Sequence, residues 1–269
     1  MSSDTPPKTY FNQSLNKSSV FNTLNLPNET LLGFPKPGVG VLIAPGATGK
    51  SYFIMNIMLA SIKLTDNHLV DKTKDIKILY VSLEDKLEDI NRRLTYYKEA
   101  LQLDKKMLNA TGNDFNIVAY KGADRLINKI ITQDKNPLWK ELKNQIKSTK
   151  SDLVIIDTLI KTYEGYDENS NPDMSKVLSY FDELAEEEKC SILLLHHTNK
   201  GAIGAKNESS QADSRGASSI VDNSRWVISL RKDDKNKCVT CKAVKTNFTS
   251  FDEVSYSRKY KGTLIRENK

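Results

Sequence analysis

Five short runs of mostly apolar residues punctuate the chain: Val41-Leu-Ile-Ala, Ile76 to Leu83, Phe115 to Tyr120, Asp152 to Asp157 and Ser191 to His196. Runs this short and this continuous predict strands buried on both faces. Between them lie segments with helical spacing. Phe53, Ile54, Ile57 and Met58 form one apolar face of a helix predicted from about Gly49 to Leu64. Lys86 to Leu103, Leu138 to Ser148 and Asp173 to Lys189 predict three further helices. Buried strands alternating with helices imply a mostly parallel sheet with helices on both faces. Arg225–Arg231, Lys237–Lys245 and Glu253–Lys259 predict a C-terminal antiparallel extension.

The remaining segments are polar or broken. Residues 1–25 are expected to be a flexible tail, and 26–269 a single α/β domain. Leu26 to Gly40 holds Pro27, Pro35, Pro37 and three glycines and is expected to be loop. Thr198 to Asp213 has no periodicity. No internal repeat is evident.

Composition adds little constraint. The 269 residues are enough for one sizeable domain. A net charge of +6 permits nucleic-acid binding without requiring it, since a solvated lysine-rich surface gives the same balance. The first 22 residues lack the apolar core of a signal peptide, and no run approaches a membrane span. A cytoplasmic location with no membrane partner is the expectation. Cys190, Cys238 and Cys241 are too few for a disulfide framework. Cys238 and Cys241 stand three apart on a predicted strand and point to opposite faces, so they are expected to be structural thiols, not zinc ligands.

In a parallel sheet, chemistry gathers beyond the carboxyl ends of the strands. The first such end carries Ala44-Pro45-Gly46-Ala47-Thr48-Gly49-Lys50-Ser51, which meets the phosphate-loop pattern G-x-x-x-x-G-K-[ST] except that Ala44 replaces the first glycine. The loop Pro45–Ser51 would cradle phosphates, its backbone N–H groups from Gly46 onward turned inward and Gly46 and Gly49 taking the unusual backbone angles. Lys50 would reach the β and γ phosphates of ATP, and Ser51 would bind Mg²⁺. Asp157 ends an apolar strand, where it is placed to hold the Mg²⁺ shell. Glu84 and Asp85 end another. Glu84 is the choice for the carboxylate that activates water, with Asp85 as its partner, a metal-shell ligand or merely a helix cap. His196 and His197 end the fifth strand, where an imidazole is able to sense a γ-phosphate.

Taken together, these segments resemble a known family. Tyr80-Val-Ser-Leu-Glu-Asp, Val154-Ile-Ile-Asp-Thr-Leu, Leu195-His-His-Thr-Asn-Lys-Gly, Ser214-Arg-Gly-Ala-Ser-Ser, Val221-Asp-Asn-Ser-Arg-Trp and Ala243-Val-Lys-Thr-Asn look like the RepA-type hexameric replicative helicases of plasmids, within the RecA/DnaB-like superfamily. The resemblance spans roughly residues 26 to 260. It implies a RecA-like P-loop ATPase core forming a ring, a hexamer, with ATP at subunit interfaces and single-stranded DNA through the centre. Lys50 and Ser51 then belong to Walker A and Asp157 to Walker B. Glu84 matches the catalytic glutamate, His197 the phosphate-sensing histidine, and Arg225 an arginine finger donated to a neighbour's ATP. Lys245 and Arg215 are candidates for trans or DNA contacts, and Arg93 for stacking on adenine. The tail has no counterpart in the family, and no primase-interaction domain is recognisable.

An arginine finger on an outlying strand implies a head-to-tail interface, which closes into a ring. The loops Leu159–Pro172, with Lys161, Tyr163 and Tyr166, and Asn199–Arg215, with Lys200 and Lys206, are the expected DNA contacts. The leading expectation is an ATP-dependent DNA helicase for plasmid or phage replication, with initiator or primase proteins as further partners. A RecA-like ATPase switch that binds single strands or partner proteins without unwinding is the alternative, and a small-molecule kinase the third.

Overall fold

The computed structural model describes residues 28–104, 115–198, 218–246 and 249–267. Among the described residues, thirteen strands and five α-helices follow the alternation read above. In chain order, β1 (Glu29–Leu31), β2 (Phe34–Pro35) and β3 (Gly38–Pro45) precede α1 (Lys50–Ser61). Then come β4 (Ile78–Ser82), α2 (Leu87–Ala100), β5 (Phe115–Ala119), β6 (Ile127–Asn128), α3 (Pro137–Thr149), β7 (Leu153–Asp157), β8 (Tyr163–Glu164), α4 (Asn171–Glu188) and β9 (Ser191–Thr198). The last described elements are α5 (Ser218–Asn223), β10 (Trp226–Asp233), β11 (Cys238–Thr246), β12 (Val254–Arg258) and β13 (Leu264–Arg266). The predicted tail, 1–25, lies outside the described residues.

Nine strands make one sheet in the order β13-β12-β11-β10-β3-β9-β7-β4-β5. From β10 to β5 every pairing is parallel, and from β10 to β13 every pairing is antiparallel. The phosphate-loop strand β3 is therefore central. The expected antiparallel extension is present, and its first strand, β10, also pairs in parallel with β3, which joins the extension to the parallel sheet. Trp226 anchors it there. The fully buried ring stacks on Phe34 at 4.6 Å over Gly40, where an added Cβ would sit 2.7 Å from the indole. Burying a ring of this size removes roughly 200 Å² from water, worth about 5 kcal/mol, enough to hold the strand in the sheet.

Alternate residues of β3 face two different cores. Leu42 and Ala44 pack with α1, α2 and the C-terminal strands; Val41 and Ile43 pack with α3 and α4. Helix starts follow local chemistry. Asn136 caps α3, its side chain accepting from the N–H groups of Leu138 and Trp139, and Ser170 caps α4. Two expected loops contain regular structure. The proline-rich 26–40 segment forms β1 and β2, and the loop after Asp157 forms a 3₁₀ turn and β8. No described helix is long and apolar enough to cross a membrane.

Candidate nucleotide site

The phosphate loop bridges the carboxyl end of β3 and the N-terminus of α1, which begins at Lys50. Gly49 has φ of 112°, a left-handed angle that a side chain would strain. The second unusual angle falls on Ala47, at φ 60°, and not on Gly46 as expected. An added Cβ on Gly46 would meet nothing within 4 Å, so packing alone does not demand glycine there; the protein leaves room at the loop. Helix α1 directs its N-terminal dipole at this loop, a favourable end for an anion.

Lys50 is buried, at 6% exposure. Its Nζ donates to the Ala44 carbonyl at 2.9 Å and lies 2.8 Å from His197 Nδ1. Burial pushes its pKa down to about 8, opposed by the nearby Asp157 and Glu84 carboxylates. A desolvated ammonium ringed by acceptors is a prepared site for phosphate oxygens.

Strand β9 runs beside β3 with His197 opposite Ala44. Successive residues face opposite sides, so the two histidines part company. His197 lines the same cavity as Lys50, and its Nε2 stands 3.4 Å from Glu84 Oε2. His196 is 2% exposed, and its Nε2 has no hydrogen bond, the nearest carboxylate oxygen being that of Glu168 at 3.4 Å. Burial lowers its pKa to about 4, with His197 and Lys50 adding repulsion.

Asp157 is also buried, and its Oδ2 accepts a 2.7 Å hydrogen bond from Tyr80 Oη on the adjacent strand β4. Burial raises its pKa, the Tyr80 bond opposes that shift, and Glu84 and Asp85 reinforce it. Beyond β4, the Asp85 N–H donates to Ser82 Oγ at 3.0 Å. Arg93 on α2 forms a two-pronged ion pair with Asp85. Arg93 thus lines the cavity with Asp85 already in its grip, and Glu84 is the less encumbered carboxylate.

Lys50, Ser51, Glu84, Asp85, Arg93, Asp157 and His197 all line one cavity of about 290 Å³. Ala47 and Gly49 of the loop join them. No cluster of three or more His, Cys, Asp or Glu suited to a metal occurs among the described residues. Ser51 and Asp157 bring a hydroxyl and a carboxylate to the cavity, a donor pair that fits Mg²⁺, which takes one or two protein oxygens and otherwise water and substrate phosphates. Tyr52, Arg258 and Gly262 also line the cavity and were missed in the sequence. Arg258 arrives on β12, more than two hundred residues after the loop, and no motif marks it.

The remaining candidates lie elsewhere. Arg225 is exposed just before β10, whose Trp226 pairs with Gly40. It therefore sits at the end of the sheet away from Pro45, about 17 Å of strand away, and electrostatically near Asp182 of α4. Lys245 donates to the Val221 and Asp222 carbonyls at 3.2 and 2.9 Å, where it caps α5. Lys161 is exposed. Tyr163 is not available for stacking on bases: it is 6% exposed and packs in the core, edge-on to the half-buried Tyr166. Lys200, Lys206 and Arg215 lie outside the described residues. Cys238 and Cys241 are buried free thiols, and burial pushes the Cys241 thiol well up.

Residues 21–202 match a family model described as AAA domain. The match takes in the phosphate loop, Glu84, Asp157 and both histidines.

Proposed function

The chain belongs to the AAA-domain family of P-loop ATPases, and from that premise we propose that it is a ring-forming motor that hydrolyses ATP to move along single-stranded DNA, as RepA-type replicative helicases do. The observation that carries the reading is the convergence of Lys50, Asp157, Glu84 and His197 on one cavity at the carboxyl edge of the parallel sheet. Mg²⁺-bound ATP supplies the reactive γ-phosphate. Lys50 and the N–H groups of the loop hold the phosphates and offset their charge. Asp157, fixed by Tyr80, and the Ser51 hydroxyl would hold the metal. Glu84 orients the attacking water and takes its proton. His197, between Lys50 and Glu84, is the group whose bonds change when phosphate is present.

Arg225 is too far from its own Lys50 to assist hydrolysis there, so it serves a neighbour's site. That requirement makes a head-to-tail ring part of the proposal. Lys161, beyond Asp157, leaves the same sheet edge and is retained as a DNA contact; Arg93 is retained as the neighbour of the base. Size-exclusion mass with and without Mg²⁺-ATP, followed by a strand-displacement assay on a forked duplex, tests the proposal. Assembly and ATP-dependent displacement support it. Assembly and hydrolysis without displacement favour the switch reading, and a monomer that turns over ATP unassisted contradicts the motor.

A further inference from the structure

The family match ends at residue 202, yet the cavity around Lys50 is closed by residues beyond it. The β12–β13 hairpin is fastened to the phosphate loop and to α1. Arg258 Nη2 donates to the Thr48 carbonyl, with the Ala47 carbonyl at 3.5 Å. Tyr52 Oη donates to the Lys261 carbonyl at 2.8 Å, and Asn56 Nδ2 to the Leu264 carbonyl at 3.0 Å. Arg258 has no ion-pair partner among the described residues, and its Nε is buried without a hydrogen bond. A permanent cation thus rests on two main-chain carbonyls of the loop.

Those two carbonyls have meaning. The Ala47 carbonyl belongs to the peptide unit whose N–H is Thr48's, and the Thr48 carbonyl to the unit whose N–H is Gly49's. A charged donor on the oxygen of an amide polarises it and strengthens its N–H as a donor. It also fixes the plane of a peptide whose neighbours, Ala47 and Gly49, both hold positive φ. The Thr48 N–H donates to the Pro45 carbonyl at 3.4 Å, which leaves the Gly49 amide as the free donor, and we infer that Arg258 is a positioning residue of the phosphate loop, setting the Gly49 amide toward bound phosphate, so that the C-terminal hairpin is a working part of the nucleotide site. The inference rests on the phosphate-site reading of Lys50. Both contacts come from the single nitrogen Nη2, carried over the loop by a planar guanidinium whose Nε is buried, a head group that lysine does not reproduce.

Arg258→Ala and Arg258→Lys test it, by binding of ADP and of a non-hydrolysable ATP analogue, by steady-state ATP hydrolysis, and by thermal unfolding without nucleotide. Arg258→Ala is expected to weaken binding of both nucleotides about tenfold. KM should rise in step while kcat stays within about twofold, the signature of lost ground-state binding. The unfolding midpoint should move by no more than about 2 °C. Arg258→Lys should leave most of the defect. Binding by Arg258→Ala within about twofold of the unaltered chain overturns the inference. So does a binding loss accompanied by a midpoint drop beyond about 5 °C and repaired by lysine, which marks a structural clamp. Should Arg258→Ala fail to fold, Arg258→Lys decides alone by the same twofold criterion. An unaltered chain that binds neither nucleotide overturns the phosphate-site reading along with this one.

Discussion

Lys50 Nζ and His197 Nδ1 stand 2.8 Å apart at the carboxyl edge of adjacent parallel strands. An ammonium only donates, so Nδ1 accepts and the ring proton belongs on Nε2, which faces Glu84 Oε2 at 3.4 Å. One imidazole thereby connects Lys50 to Glu84, the residues proposed to bind phosphate and to activate water. A phosphate that engages Lys50 competes for the same donor hydrogens, and the loss of that bond frees His197. Under the proposed function, this is how the site would register occupancy through β9, the strand that leads into the second candidate DNA loop.

His197→Ala removes this connection while leaving Lys50 and the loop amides in place. The expected result is a fall in kcat of about tenfold or more with KM for ATP changed less than about threefold. Steady-state hydrolysis measures both; a rise in KM with kcat unchanged would make His197 a simple binding residue.

Tyr80 holds Asp157 through a buried 2.7 Å hydrogen bond. Partners of this kind fix the orientation of a metal-binding carboxylate, and their loss costs about 10- to 100-fold in metal affinity. Tyr80→Phe should therefore raise the Mg²⁺ concentration needed for half-maximal binding of a fluorescent ATP analogue by at least about tenfold. The metal-independent part of nucleotide binding should not change. A Mg²⁺ titration superimposing on that of the unaltered chain would remove Tyr80 from the site.

Arg225 lies at the far end of the sheet from its own phosphate loop. Arg225→Ala and Lys50→Ala chains should each be inactive alone and partly active when mixed, since one supplies an intact loop and the other an intact finger. Turnover measured across mixing ratios checks this. Absence of recovery at every ratio would place Arg225 outside the reaction.

His196 carries a pH signature in stability. Its folded pKa is about 4, against about 6.5 unfolded. Between those values the unfolded chain holds a proton that the folded chain lacks, so this group makes stability rise with pH from 4 to 6.5 and fall on acidification. Glu168, whose pKa burial raises, acts in the opposite sense, and His197 and Lys50 add the repulsion already described. Denaturant unfolding at pH 7 and pH 5 should show a smaller acid loss in His196→Asn than in the unaltered chain, by about 1–2 kcal/mol. Equal losses would show that His196 is protonated in the fold at pH 5.

The parallel core and its phosphate loop were legible because each rests on local pattern. Val41 to Ala44, Ile78 to Ser82 and Leu153 to Asp157 are short apolar runs, and the loop's glycine–lysine–serine spacing is contiguous. What escaped depends on distant pairing. β10 reads as one of three similar alternating strands, and only the docking of Trp226 against Phe34 and Gly40 makes it parallel. Arg258 looks like any strand cation until β12 is folded against Thr48. Tyr163 reads as available for nucleic acid because sequence does not disclose burial, and in the fold it fills the core. Ala47, not Gly46, takes the left-handed angle, which shows that the small-residue pattern marks the loop without assigning its dihedrals.

The most direct measurement is the rate of Mg²⁺-ATP hydrolysis by the full chain and by Lys50→Ala, each with and without single-stranded DNA. The account predicts basal turnover in the unaltered chain, a rate increase of about fivefold or more on adding single strands, and no turnover above background in Lys50→Ala under either condition. Hydrolysis that survives in Lys50→Ala would contradict it.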